Sequence, residues 1–153
     1  MEREKDIRKL DLTEGMPSVR WKDVGLVYLD PPYWRQAENE YSEDQSDLGN
    51  MELERFNDVL SGIVKEFANR MAKAKRDKPS YIALIIQPTQ WKAPDRQYTD
   101  HIADMIKAVK LPIDMRISVP YESQQYNAQM VDWARENKKV LVLSREIVVW
   151  KVA

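Results

Sequence analysis

Five consecutive residues of this chain carry groups that could do chemistry: Asp30, Pro31, Pro32, Tyr33 and Trp34. The Asp30 carboxylate and the Pro31 carbonyl are hydrogen-bond acceptors, and the two prolines stiffen the backbone while contributing no N–H of their own. Such an acceptor pair can hold an amino group, and an adjacent aromatic ring can stack on a planar ligand. The alternative interpretation is that Asp30 caps a turn and that Tyr33 and Trp34 are packing aromatics.

The segment before these residues predicts the strand that would position them. Residues 24–29, VGLVYL, form a short continuous apolar run, which is typical of a central strand covered on both faces. Because proline cannot donate to a sheet ladder, the chain must leave the sheet at Asp30. Residues 35–50 are polar and unpatterned, which indicates a surface loop at the carboxyl end of the strand.

A long amphipathic helix is predicted over residues 51–76, with Asn50 as a plausible cap. Its apolar positions repeat at spacings of three and four: Phe56, Val59, Leu60, Ile63, Val64, Phe67 and Met71. Residues 81–86, YIALII, predict a second buried strand that ends before Pro88. Strand, helix and strand in this order predict a parallel crossover unit.

The rest of the chain continues the same alternation. We predict a helix over residues 98–110, a strand over 113–119 and a short helix over 128–137. Residues 140–152 are predicted as β structure that could form two strands folding back at residues 144–146. The sequence therefore predicts an α/β fold in a single unit that covers residues 1–153.

The Asp-Pro-Pro-Tyr motif in this setting resembles the DNA amino-methyltransferase family, whose signature is a D/N/S-P-P-Y/F/W turn at the carboxyl end of a central strand. The resemblance implies a Rossmann-like methyltransferase sheet, mostly parallel with an antiparallel C-terminal strand. It implies S-adenosylmethionine as methyl donor and DNA as partner, with the methyl group placed on the exocyclic amino group of adenine (N6) or cytosine (N4).

The family's chemistry explains the residue types of the motif. The lone pair of an exocyclic amine is delocalised into the ring, so the amine is a poor nucleophile. The resemblance implies that Asp30 and Pro31 each accept one N–H, so that the lone pair points at the donor and developing charge is stabilised. Pro32 completes the turn, and Tyr33 stacks on a base that has been swung out of the duplex. Trp34 would form a second wall of the pocket that holds the base.

Further positions are assigned by the same resemblance. Asp6, in the stretch DIRKL, would bind the adenine amino group of the donor, or it lies at a solvent-exposed strand end. Asp30 is also expected at the donor site. Gln87 and Gln90 could meet the base or phosphates, or they belong to an ordinary polar loop. Tyr121, with Tyr126 as the runner-up, would supply a second aromatic to the base, or it packs.

The donor-binding part of the family is not evident in this sequence. The four glycines, at positions 15, 25, 49 and 62, form no G-x-G turn. The resemblance begins near Asp6, so the sheet is expected to be incomplete at its N-terminal half. The chain would then be a fragment, a part completed in trans by another polypeptide, or a remnant that no longer methylates. An open sheet edge would also favour a homodimer.

Composition narrows the classes of function. The net charge of −1 and pI near 5.9 provide no overall basic footprint, so any DNA contact must be local. There is no cysteine and His101 is the single histidine, which argues against a metal site. No apolar run approaches a membrane span and the first residues are charged, so we expect a cytoplasmic protein. The competing functions are a noncatalytic nucleic-acid-binding or scaffolding remnant and an unrelated α/β domain.

Overall fold

Strands and helices alternate along the chain in the computed structural model, which describes residues 9–36, 43–90, 93–121 and 127–152. The elements are β1 (Leu26–Leu29), α1 (Leu53–Lys73), β2 (Tyr81–Ile86), α2 (Ile102–Val109), β3 (Ile113–Pro120), α3 (Ala128–Glu136) and β4 (Ser144–Lys151). Short 3₁₀ helices lie at Trp21–Asp23 and Pro94–Arg96. The fold is α/β, as predicted.

The four strands form one mixed sheet in the order β1-β2-β4-β3. β1 and β2 are parallel, whereas β4 is antiparallel to both β2 and β3. The expectation of a mostly parallel sheet is therefore wrong, because only the β1–β2 pair is parallel. The expected antiparallel C-terminal strand is present. It lies inside the sheet, where Val148 and Trp150 are fully buried, and it separates β3 from β2.

The main core lies between one face of the sheet and the helices α1 and α2, which pack against each other. On this face, Ile82 and Leu84 of β2 pair with Trp150 and Val148 of β4, and all four are fully buried. The predicted stripe of α1 faces this core: Phe56, Leu60, Ile63, Val64, Phe67 and Met71 are buried, and Val59 is partly buried. The hydrophobic periodicity therefore located the buried face of α1 correctly.

β1 is an edge strand, so the expectation of a central strand covered on both faces is wrong. Leu29 is buried, but Leu26 and Tyr28 are 58% and 54% exposed. Both side chains point to the face opposite α1, and among the described residues no strand pairs with the outer edge of β1. An apolar run indicates which residues favour burial, whereas the neighbours that could provide it are a property of the whole fold.

The helix ends differ from the expected ones. α1 begins at Leu53 with Glu52 at the N-cap position. The proposed cap Asn50 instead donates its side-chain amide to the Asp44 carbonyl at 2.8 Å. α2 begins at Ile102, four residues later than expected, whereas α3 begins at Ala128 as predicted. The side chain of Asn127 caps α3 by accepting a hydrogen bond from the Met130 N–H at 2.9 Å.

The C-terminal β structure is one strand, so the alternative of two strands folding back is wrong. Residues 140–143 lie outside the strands. Their backbone is held by the side chain of Gln90, which donates to the Val140 carbonyl at 2.8 Å and accepts from the Val142 N–H at 3.0 Å. A side-chain amide thus replaces the partner strand that this apolar segment would have needed.

One rim of the sheet gathers the segments that matter for function. Because β1 and β2 run in the same direction and β4 runs against them, the carboxyl ends of β1 and β2 meet the amino end of β4. The end of β3 joins the same rim, since Pro120 pairs with Ser144. The segments after β1 and β2 are joined directly, because the Thr89 hydroxyl donates to the Trp34 carbonyl at 2.7 Å.

Candidate functional site

The Asp-Pro-Pro-Tyr motif follows β1 directly and folds back on itself. Asp30 is exposed, whereas Pro31, Pro32 and Tyr33 are partly buried. A tight turn follows, in which the Gln36 N–H donates to the Tyr33 carbonyl at 3.0 Å. The Tyr33 hydroxyl donates to Oδ1 of Asp30 at 3.3 Å. The carboxylate and the phenol therefore lie side by side at the end of the strand.

A cleft of about 700 Å³ opens beside Asp30. Asp30, Pro31 and Pro32 line it together with the end of β1, with Leu60 and Ile63 of α1 and with residues 9–13. Small-molecule sites in proteins have volumes of roughly 300–1,000 Å³. The cleft is therefore large enough for a nucleobase or a small cofactor, and it places the Asp30 carboxylate next to apolar walls.

Carboxylates dominate the charge of the cleft. Among the described residues that line it, Asp11, Asp30 and Asp47 are acidic and Lys9 is the single cation. Thr13 donates to Asp11 from its hydroxyl at 2.7 Å and from its N–H at 2.8 Å, and these hydrogen bonds lower the pKa of Asp11. Three carboxylates against one cation favour a ligand with positive charge.

A second group of side chains surrounds Arg145, the second residue of β4. The guanidinium carbon of Arg145 lies 5.6 Å from the ring centre of Tyr33 and 5.3 Å from that of Tyr121. Burial raises the pKa of Tyr33 to about 12, and the charge of Asp30 acts in the same direction. Burial also raises the pKa of Tyr121. Both phenols therefore stay neutral at physiological pH.

Asp30 connects these two neighbourhoods. It lines the cleft, and it also accepts the hydrogen bond from Tyr33, whose ring lies against Arg145. Of the site residues named from the sequence, the structure brings Asp30, Pro31 and Pro32 together at the cleft. Tyr33 and Tyr121 meet around Arg145, outside the lining of the cleft.

Trp34 is placed in the core and not at the cleft. Its side chain is 4% exposed, and its indole N–H donates to the Met51 carbonyl at 3.0 Å. Its ring also packs edge-to-face against His101, with ring centres 6.0 Å apart. A role as a second wall for a base would require Trp34 to leave these contacts, so its position favours the packing interpretation.

The two glutamines after β2 use their amides within the protein. Gln87 is 8% exposed and donates to the side-chain oxygen of Gln36. Gln90 is 7% exposed and binds the backbone of Val140 and Val142, as described above. These contacts place both residues on the expected rim of the sheet, but they favour the interpretation of an ordinary polar loop over a contact with a base.

Two further predicted residues, Asp6 and Tyr126, lie outside the described residues. Their assigned parts, the donor contact for Asp6 and the alternative second aromatic for Tyr126, stay predictions. Tyr121 itself is described. Its N–H donates to the Leu143 carbonyl at 2.7 Å, which anchors the end of β3 to the segment that precedes β4.

Arg145 is the residue of this site that sequence reasoning missed. Its only sequence signal is a cation two residues before the apolar stretch IVVW, which is common at strand ends and does not indicate a site. What brings Arg145 to the two tyrosines is the antiparallel pairing of β3 and β4, in which Val119 pairs with Arg145. That register is a property of the tertiary structure.

The described residues contain no group of three or more His, Cys, Asp or Glu side chains that could hold a metal ion. None of the helices in the described ranges combines the length and the apolar character that a membrane-crossing segment needs.

Comparisons with known proteins do not place this chain in a family. Neither protein-family models nor curated proteins nor solved structures gave a match to the chain.

Proposed function

We propose that this chain is the catalytic part of an S-adenosylmethionine-dependent methyltransferase that acts on the exocyclic amino group of adenine (N6) or cytosine (N4) in DNA. The observation that carries the proposal is the position of Asp30. Asp30 directly follows the last residue of β1 and lines a cleft together with Pro31. Its carboxylate accepts a hydrogen bond from the Tyr33 hydroxyl at 3.3 Å.

The cleft fits the methyl donor in volume and in charge. S-adenosylmethionine, when bound, supplies a methyl group on a positively charged sulfur. Asp11, Asp30 and Asp47 provide negative charge around a cavity of about 700 Å³, and Leu60 and Ile63 provide apolar surface for a planar ring. The sequence has no G-x-G turn to bring backbone close to the donor, so we expect these side chains to bind it only with micromolar affinity.

We propose that the base binds on the side of Asp30 where Tyr33 lies. In the proposed arrangement the carboxylate and the Pro31 carbonyl each accept one hydrogen of the amino group. The two bonds direct the nitrogen lone pair and stabilise the positive charge that develops on the nitrogen. Stacking on Tyr33 would contribute about 1–3 kcal/mol, which offsets much of the few kcal/mol needed to unstack the base.

The common direction of three strands supports the proposal, although the sheet is not the mostly parallel one that the resemblance implies. β1, β2 and β3 point in one direction, and the C-terminal strand β4 runs against them. The residues that would act lie where the first three strands end. Ligands of open α/β sheets bind at this edge, beyond the carboxyl ends of the strands.

Donor binding and methyl transfer test the proposal. Calorimetry of the full chain with S-adenosylmethionine should show a heat of binding with micromolar affinity, and radioactive donor should label the amino group of adenine or cytosine in duplex DNA. Asp11→Asn should weaken donor binding several-fold because it removes a negative charge from the cleft. The matched control is Asp58→Asn, an exposed carboxylate of α1 outside the cleft lining, which should change nothing.

The proposal would be refuted by a folded chain that gives no heat of binding with S-adenosylmethionine and transfers no labelled methyl group to DNA. If such a chain still bound DNA, it would support the noncatalytic nucleic-acid-binding alternative.

A further inference from the structure

One cation is shared by the two tyrosines of the rim. The guanidinium carbon of Arg145 lies over both rings at 5.6 and 5.3 Å, within the distance of about 6 Å at which a cation is attracted to the face of an aromatic ring. Elsewhere in the described part of the chain, Arg35 lies over Trp34 and Arg96 over Trp133. The position of Arg145 couples the orientations of Tyr33 and Tyr121.

The polar groups near Arg145 agree with this coupling. Interaction with the Tyr121 hydroxyl raises the pKa of Arg145, and the charges of Tyr33 and Asp30 act in the same direction. The Nε of Arg145 is buried and has no hydrogen-bond partner among the described residues. A buried N–H without a partner is unfavourable for stability, so the stability of the fold does not by itself explain an arginine at this position.

The backbone holds the two partners in register. Arg145 pairs with Val119 across β3 and β4, and the Tyr121 N–H donates to the Leu143 carbonyl at 2.7 Å. Tyr33 arrives separately, from the end of β1 on the far side of β2. Arg145 is therefore the side chain that joins the Asp-Pro-Pro-Tyr motif to the end of β3.

We propose that Arg145 is a positioning residue of the base site, which holds the rings of Tyr33 and Tyr121 in the relative orientation that lets both contact a base whose amino group faces Asp30. This inference rests on the proposed function. In this role Arg145 affects DNA binding through the two tyrosine rings and does not contact a phosphate of the DNA.

The first measurement is the affinity of the full chain for single-stranded DNA, in which no base has to be flipped out of a duplex. Fluorescence anisotropy with labelled oligonucleotides of about 12 deoxyadenosines or deoxycytidines gives the Kd at about 0.15 M salt. Arg145→Met keeps much of the aliphatic stem and removes the charge. We expect it to weaken binding about tenfold, which corresponds to about 1.4 kcal/mol.

Two further variants control this result. Arg145→Lys keeps the charge without the planar group and should restore part of the affinity. Arg116→Met removes a cation of β3 that pairs with Glu146. Because Arg116 contacts neither tyrosine, its loss should change the affinity less than twofold. Thermal unfolding of each variant shows whether it is folded, and Arg145→Lys tests the inference if Arg145→Met does not fold.

The decisive comparison repeats Arg145→Met in a chain that already carries Tyr33→Ala and Tyr121→Ala. If Arg145 acts through the rings, the substitution should have no further effect there. If it contacts a phosphate, the tenfold loss persists, and the slope of log K against log salt falls by about 0.7, as for one lost phosphate contact on a single strand. That second outcome overturns the inference.

The remaining outcomes separate this inference from the proposed function. Binding that depends on Arg145 and on both tyrosines, in a chain that gives no heat with the methyl donor, supports the inference and refutes methylation. Binding that is unaffected by Arg145→Met overturns the inference and leaves the proposed function standing. A folded wild-type chain that binds neither oligonucleotide overturns the base site, and the inference with it.

Discussion

Replacing Asp30 with alanine removes the acceptor on which the proposed chemistry depends. The folded protein should lose little, because the carboxylate is exposed and its hydrogen bond with the Tyr33 hydroxyl, at 3.3 Å, is long. We expect the free energy of unfolding to stay within about 0.5 kcal/mol of the wild-type value. Binding of DNA should stay within a few fold, since the bond to the amino group is used mainly in the transition state.

The effect on methyl transfer should be much larger. Removing one preorganised hydrogen-bond partner of a developing charge lowers the rate by about 10²–10³, or roughly 2.7–4 kcal/mol of transition-state stabilisation. Asp30→Asn keeps a carbonyl oxygen in a similar place without the charge. Because neutral hydrogen bonds are about half as strong as charge-assisted ones, we expect Asp30→Asn to lose roughly 10- to 30-fold.

The assay is single-turnover transfer of labelled methyl groups to duplex DNA, with DNA affinity measured in parallel. Asp58→Ala, on the exposed side of α1, is the control for loss of a carboxylate outside the site. If Asp30→Ala lowered DNA affinity as much as it lowered transfer, the carboxylate would act in ground-state binding. If transfer were unchanged, Asp30 would have no part in the chemistry.

Three further predictions concern the parts of the fold that support the rim. Because burial lowers the pKa of His101, its neutral ring favours the folded state, and this stability is complete above about pH 6.5 and is lost as the pH falls below it. His101→Phe removes the titrating group. When the pH is lowered from about 7.5 to about 5, its free energy of unfolding, measured by urea denaturation, should therefore fall less than that of the wild type, and an equal fall would contradict this. Gln90→Leu removes two hydrogen bonds to residues 140–142 and should lower the free energy of unfolding by about 1–3 kcal/mol, whereas an unchanged urea midpoint would argue against this bracing role. Trp34→Ala should lower it by about 3–5 kcal/mol and Trp34→Phe by less; a fully stable Trp34→Ala would restore the role of Trp34 as a wall for a base.

The elements of this protein were predictable because their causes are local. The three- and four-residue spacing of Phe56, Leu60, Val64 and Phe67 depends on helix geometry alone, and these residues form the buried face of α1. The extent of β2 was predicted from its apolar run and the proline that follows it. The Asn127 cap was not predicted, although asparagine before a helix is a known signal.

Part of the candidate site was predictable from local sequence, and part depends on contacts between distant residues. The steric effect of consecutive prolines places Asp30 and Pro31 at the end of a strand whatever surrounds them, so this part of the site was visible in the sequence. The sequence did not show that Trp34 would be buried in the core while Tyr33 would stay at the rim. Its inward position depends on the Met51 carbonyl, 17 residues away, and on His101. An adjacent pair of aromatic residues does not reveal which ring the core will take.

The sequence by itself determined the types and order of the elements and the chemistry available at Asp30, because helix periodicity, strand composition and proline sterics act between residues that are close along the chain. Only the tertiary structure decided that β1 is at the edge, that β4 inserts between β2 and β3, and that Arg145 meets Tyr33 and Tyr121. The physical reason is that strand order follows from the apolar surface that all elements bury together. That quantity depends on residues more than 100 positions apart, as Tyr33 and Arg145 are, and no local pattern contains it.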